Sequence, residues 1–255
     1  MKPIYTTIPV GLCEYALKNR KVNHLKLYVY LKHISDGYVP YDPSVFKLWA
    51  TDIGCSKRWI YEGLNWLIKN KWITVNGKRN SLHIVSYETI CKRLDVFHKV
   101  AALYEPDDFT SLDAFCAASV IVFYMRRKAW MDRKRRPVSK MGDTNTNRKS
   151  YPKGFNTLPV RYLAKCLAVS DATANNYKQK AIKESLIEVN RQIITQTDDR
   201  GEKLSKDKIL VYRHIHAPNN GRLRTGTKYL KMVEADLIKS HLILKCKRYK
   251  HDAEK

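Results

Sequence analysis

Leu-Trp-Ala-Thr-Asp-Ile-Gly-Cys-Ser-Lys-Arg-Trp-Ile-Tyr-Glu-Gly-Leu-Asn-Trp-Leu-Ile-Lys-Asn-Lys-Trp-Ile, residues Leu48 to Ile73, holds two helical patterns separated by a sharp break. Ile53-Gly54-Cys55-Ser56 reads as a tight turn that ends on an N-capping serine. From Ser56 to Asn70, Ile60, Leu64, Leu67 and Ile68 recur at i, i+4, i+7 and i+8, which predicts an amphipathic helix with one buried stripe. Upstream, Pro43–Asp52 predicts a helix with Val45, Phe46 and Trp49 inward, and Asn23–Ser35 predicts another, stopped by Asp36-Gly37. Downstream, Trp72–Val75 alternates as a strand. Asn76-Gly77 is a strong hairpin signal, and Leu82–Val85 returns.

Helix, helix, turn, helix, β-hairpin is the order of a winged helix. The residues also resemble the helix-turn-helix of plasmid and phage replication initiators and replisome organisers. Ala50, Ile53, Gly54, Ser56, Arg58, Ile60, Leu64, Leu67 and Ile73 match that family's pattern, while Trp59 and Trp72 depart from it but stay apolar. Asn23–Leu31 resembles the first helix of such domains. The resemblance implies a DNA-binding fold and, by family, a role in starting replication of a mobile element.

A shift of 114 residues brings the motif back. Ala50 falls on Ala164, Ile53 on Leu167, Ser56 on Ser170 and Ile60 on Ala174, and seven of the 27 positions from 50 to 76 are identical. This predicts a second winged helix. Its first helix would be Leu112–Arg127, entered by Thr110 and Asp113 in a capping-box-like start. Its helix-turn-helix would be Pro159–Glu184, and its wing Leu186–Thr195 returning as Lys208–His216. Lys178 and Ala181 stand where larger apolar residues are usual. Residues 1–21 read as a strand (Ile4–Pro9) and a helical turn. Tyr87–Thr110 reads as a packed helical connection, and Lys228–Leu244 as an amphipathic helix with Leu230, Val233, Leu237, His241 and Leu244 on one stripe. The expected fold class is therefore α+β, mainly helical, with two tandem winged-helix domains. The expected divisions are a first domain at 1–88, a helical connection at 89–110, a second domain at 111–220 with a basic insertion at 131–156, and a helix with a basic tail at 221–255.

The chain has 255 residues, 48 Lys+Arg against 24 Asp+Glu and a formal charge of +24, so an anionic partner is needed to relieve its self-repulsion. Apolar residues at 44% and aromatics at 11% can fill real cores, which excludes wholesale disorder. No apolar run nears the ~18 residues of a membrane span, and the N-terminus carries no signal-like apolar core. The expected location is the cytoplasm, at the nucleoid in a bacterium. Six scattered cysteines with no CxxC pair predict reduced thiols, with no metal site and no cofactor. The charge gathers in three clusters: Arg126–Lys153 at +9, Lys57–Arg79 at +5 and Arg222–Lys250 at +7. Arg133–Gly154 is polar and reads as a long basic loop, with Arg133, Lys134, Arg135, Arg136, Lys140, Arg148, Lys149 and Lys153 available to phosphates.

With its apolar stripe inward, helix 56–70 turns Arg58, Glu62, Asn65 and Lys69 outward, with Lys57 and Tyr61 beside them. Arg can fork onto guanine, Asn can pair with adenine, and Glu can accept from cytosine or orient Arg58. Lys69, Lys71, Lys78 and Arg79 suit phosphates, the last two at the wing tip. The second copy offers Asn175, Asn176, Gln179, Lys180 and Lys183. Catalytic signals are weak. Arg213-His214-Ile215-His216 with Tyr229 resembles the motif of rolling-circle nicking enzymes, but the stretch reads equally as a wing strand. Gly221–Lys228 nearly spells a phosphate loop, with its Lys-Thr order reversed. The expectation is a non-enzymatic, site-specific double-stranded DNA-binding protein that initiates replication. A transcriptional regulator of the same fold is the alternative and a His-x-His nicking enzyme the minor one. Partners would be double-stranded DNA and host replication or transcription machinery, with no membrane, for a chain acting as monomer or dimer.

Overall fold

The computed structural model describes residues 6–35, 37–77, 79–97, 99–104, 109–135, 152–190, 193–195, 222–224, 231–233 and 235–246. Among them are eight helices and four small antiparallel sheets of three strands each, an α+β fold. None of these helices is long and apolar enough to cross a membrane.

The first half is built around α2 (Val22–Ile34), whose Leu25, Leu27, Tyr28, Val29, Tyr30 and Leu31 are all buried. It is followed by β2 (Tyr38–Pro40), α3 (Phe46–Ile53), α4 (Lys57–Lys69), β3 (Ile73–Asn76) and β4 (Ser81–Ile84). The strands pair in the order β2-β4-β3, with Ile73 opposite Ile84 and Val39 opposite Leu82. Phe46 and Trp49 are buried as expected, while Val45 and Ile68 are only partly covered. An aromatic knot closes this half. Tyr28 meets Trp72 and Tyr87 edge-on, each at 5.3 Å, and its hydroxyl donates to the Val85 carbonyl. Gly63 lets α4 approach α2: a Cβ there would lie 2.7 Å from Leu27 Cδ2.

The second half repeats this plan. α6 (Leu112–Arg135) is followed by β6 (Phe155–Thr157), α7 (Val160–Leu167), α8 (Asp171–Lys183) and β7 (Ile187–Asn190). Helices α7 and α8 and strand β7 match α3, α4 and β3 residue for residue at the 114-residue offset. The backbone specials match too. Gly54 and Ala168, which end α3 and α7, are both left-handed at φ 71° and 52°, and Lys71 and Ser185 follow α4 and α8 at φ 59° and 54°. Ser56 and Ser170 each cap the next helix by accepting the N–H three residues on, at 3.2 and 3.1 Å.

Several sequence expectations need correction. The strand that closes the second sheet is not Lys208–His216, a stretch outside the described residues, but β11 (Leu237–Ser240), in the order β6-β11-β7. Between β7 and β11 lie β8 (Ile193–Thr195), β9 (Arg222–Arg224) and β10 (Lys231–Val233), which pair with one another in the order β8-β10-β9. Lys228–Leu244 is therefore not a helix: it contributes β10, β11 and the start of β12 (Leu244–Cys246). The unpaired edges of β6 and β7 outcompete the helical periodicity, because a strand laid between them satisfies two rows of backbone groups at once. The connection is half helical, with α5 (Tyr87–Arg93) followed by a strand, β5 (Val100–Tyr104). The first helix of the repeat runs on to Arg135, so the start of the expected basic loop is helical.

The two halves are joined by tertiary structure. β1 (Thr6–Pro9), β5 and β12 form one sheet, with the central strand taken from the connection and the outer two from the two ends of the described chain. α1 (Val10–Lys18) packs against α6, where Tyr124 donates to Glu14 at 2.9 Å, and Tyr177 of α8 donates to the Leu17 carbonyl at 3.2 Å. Gly11 is needed at this seam, since a Cβ there would sit 2.2 Å from the Phe97 carbonyl oxygen. A hydrogen bond with Cys13, and then burial, raise the Cys116 thiol well above its usual range, so this thiol stays protonated.

Candidate nucleic-acid interface

Helix α4 buries Ile60, Gly63, Leu64 and Leu67. The other side exposes Lys57, Arg58, Tyr61, Glu62, Asn65 and Lys69, continued by Lys71 just beyond the helix. The structure thus gathers seven of the nine residues expected in the first unit onto α4 and its end. Arg79 is exposed in the β3–β4 turn, and Lys78 lies outside the described residues.

The face is ordered by local contacts. Arg58 Nε donates to Glu62 Oε1 at 2.8 Å, with both side chains largely exposed. That bond uses the inner nitrogen of the guanidinium and so does not consume the terminal pair that forks onto a guanine edge. Tyr61 leans edge-on against buried Phe46 at 5.0 Å, and Lys57 Nζ lies 5.9 Å from the Tyr61 ring centre. The Lys71 carbonyl accepts from Arg93 Nη1 at 2.6 Å, which ties the end of α4 to α5.

The electrostatics of this helix favour an anion at its start. Its first turn carries Lys57 and Arg58 and no acid. Cations at the positive end of a helix dipole are unfavourable, whereas an anion there is stabilised. An anionic partner at this end would turn both penalties into attraction.

Helix α8 has the same frame but a milder charge. It begins with Asp171, which faces Arg161 across 3.4 Å. Asn175, Asn176, Gln179 and Lys183 are exposed at the positions matching Tyr61, Glu62, Asn65 and Lys69. Lys180 matches Trp66, on the flank, and its ammonium lies 2.6 Å from Asp113 of α6. It therefore does not belong to the same outward row. Lys178 replaces Leu64 in the core; it is 3% exposed and forms an ion pair with Asp236.

Of the expected basic arm, Arg133, Lys134 and Arg135 form the last turn of α6 and Lys153 is exposed just before β6. Arg136, Lys140, Arg148 and Lys149 lie outside the described residues, as do His214, His216 and Tyr229. Arg222–Arg224 of the near phosphate loop forms a strand, β9, where a phosphate loop would need an irregular backbone turn, and the rest of Gly221–Lys228 lies outside the described residues. No group of three or more metal-ligating side chains occurs among the described residues. Sequence reasoning passed over Trp130, which is 53% exposed on α6. The available signal was its spacing, with arginines three and four residues before it.

No protein-family model matches the chain, and neither a curated protein nor a solved structure is significantly similar to it.

Proposed function

We propose that both halves are winged helices and that the protein binds double-stranded DNA at specific sites. α4 is then the principal reading helix and α8 a second, weaker one. The observation that carries this reading is the repeated frame of helix, strand, helix, turn, helix and strand, with the third helix in each copy turning a polar face outward. A winged helix lays its third helix in the major groove and its hairpin along the backbone. The formal charge of +24 and the cationic start of α4 support a phosphate-rich partner. The sheet β1-β5-β12 and the packing of α1 on α6 support the two copies acting as one body, each supplying a helix to its own half-site. Initiation of replication of a plasmid, phage or other mobile element is the role we infer, by the resemblance of Leu48–Ile73 to that family.

Selection of genomic or plasmid fragments by the purified full chain tests this. Clustered direct repeats at an origin support initiation, whereas isolated promoter sites would reassign the protein to regulation. On a selected site, log K should fall steeply with log salt, at about −0.9 per phosphate neutralised. A slope shallower than about −3 would exclude nucleic acid as the main partner.

A further inference from the structure

The turn between α1 and α2 touches both reading helices. Leu17, near the end of α1, gives its carbonyl to the Tyr177 hydroxyl of α8 at 3.2 Å. A few residues on, Lys21 Nζ lies 5.3 Å from the Trp66 ring centre of α4, and His24 packs on the same ring at 4.3 Å. Trp66 adjoins Glu62 and Lys69 of the outward row, four residues before it and three after. The turn therefore lies between α4 and α8 and borders the polar face of α4. Its own backbone pins it: the Asn19 N–H donates to the Tyr15 carbonyl at 3.0 Å, and the Lys21 N–H to the Ala16 carbonyl at 2.7 Å. Between them Arg20 is exposed and left-handed, at φ 55°. The neighbouring cations are engaged, Lys18 by Glu14 at 2.6 Å and Lys21 by Trp66, whereas Arg20 forms no ion pair or ring contact among the described residues.

We propose that Arg20 enters the minor groove midway between the two half-sites and selects an A·T-rich spacer there. The inference rests on the reading of both halves as duplex binders and adds a contact between them. Two helices that enter successive major grooves on one face of a duplex, about 10–10.5 bp apart, leave one minor groove facing the protein between them. That groove is too narrow for a helix but admits a single side chain carried on a tight turn. A·T pairs line its floor with acceptors alone, whereas guanine adds an amino donor that opposes a guanidinium. A·T tracts also narrow the groove and deepen its negative potential, which attracts an arginine. Arginine gives up water more readily than lysine, so it suits the confined site better. An acidic protein partner would meet the same charge but would not distinguish A·T from G·C, and the test separates the two.

The test uses the full chain and a duplex of the selected site whose base pairs between the half-sites are A·T, G·C or inosine·C. Inosine·C keeps the major-groove edge of G·C and lacks the guanine amino group. The wild type should bind the A·T and inosine·C spacers on the order of tenfold more tightly than the G·C spacer, the usual worth of one mismatched position. Arg20→Ala should bind all three alike, near the level of the G·C spacer, and Arg20→Lys should keep part of the preference. Arg20→Gly suits the left-handed turn, so it should lose the preference with Tm unchanged or raised, which separates lost recognition from misfolding. Hydroxyl-radical footprinting should show a protected central minor groove with the wild type that opens with Arg20→Gly. A wild type indifferent to the spacer overturns the proposal, as does a preference that survives in Arg20→Ala. Site-selective duplex binding without a spacer preference removes Arg20 from the groove and leaves the winged-helix reading standing. A chain that binds no duplex removes both.

Discussion

Asp236→Asn is expected to destabilise the protein severely through a residue far from the outward face of α8. Lys178 sits where the first copy has Leu64, and its side chain is 4% exposed against 21% for Asp236. The ammonium is tolerated there because the carboxylate at the entry to β11 neutralises it. Removing one member of a buried pair costs about 3–5 kcal/mol, since the other charge is stranded out of water. The partial exposure of Asp236 places the loss near the low end, about 3 kcal/mol, equivalent to a fall of roughly 6–12 °C in Tm. Lys178→Leu should cost less, because the carboxylate it leaves behind keeps some water. The double variant, Lys178→Leu with Asp236→Asn, restores the apolar arrangement of the first copy and should match the wild type or exceed it. Urea titrations of the four proteins, followed by far-ultraviolet circular dichroism, complete the cycle. A loss below about 0.5 kcal/mol for Asp236→Asn, well under the range for a broken buried pair, would refute the reasoning. So would a double variant as unstable as that single one.

The matching turns give a paired test. Gly54→Ala should lower stability by about 1 kcal/mol and Ala168→Gly should raise it by a similar amount, because both positions are left-handed and only glycine adopts that conformation freely; thermal melts in which the two changes share a sign would break the equivalence of the turns. The pKa of His24 is pushed below its usual 6.5, first by burial and then by the charge of Lys21. The folded state then holds fewer protons than the unfolded state just below pH 6.5, so this histidine's contribution to stability is lost as pH falls through 6.5 toward its folded pKa. His24→Gln should flatten that part of the Tm–pH curve, and an identical curve would refute the link. In duplex-binding assays Arg58→Ala should cost roughly 1–3 kcal/mol on the selected site and relax base preference, whereas Arg79→Ala should weaken specific and random duplexes alike. Identical behaviour of the two variants would mean that α4 is not the reading helix.

The sequence alone was enough to locate the local frame. The apolar stripe of Ile60, Leu64 and Leu67, the capping serines and the 114-residue repeat placed α3, α4, α7, α8 and the hairpin β3–β4 close to where they lie. These features depend on neighbours a few residues away, where helical period, capping and turn chemistry act. The outward row of α4 was legible for the same reason, because a helix with one apolar stripe has only one opposite face. What tertiary structure alone decided involves partners distant along the chain. The strand closing the first sheet returns within a few residues of β3, but its counterpart returns only at Leu237, beyond 46 intervening residues. Closure entropy grows only with the logarithm of length, so the longer excursion costs at most about 2 kcal/mol more and nothing in local composition forbids it. The same holds for the sheet of β1, β5 and β12: β1 is legible as a strand, but β5 is a short apolar run whose periodicity cannot tell strand from helix, and nothing local shows that the three lie side by side. Lys178, an anomaly in the helical pattern, becomes a core residue only because Asp236 is carried to it by β11.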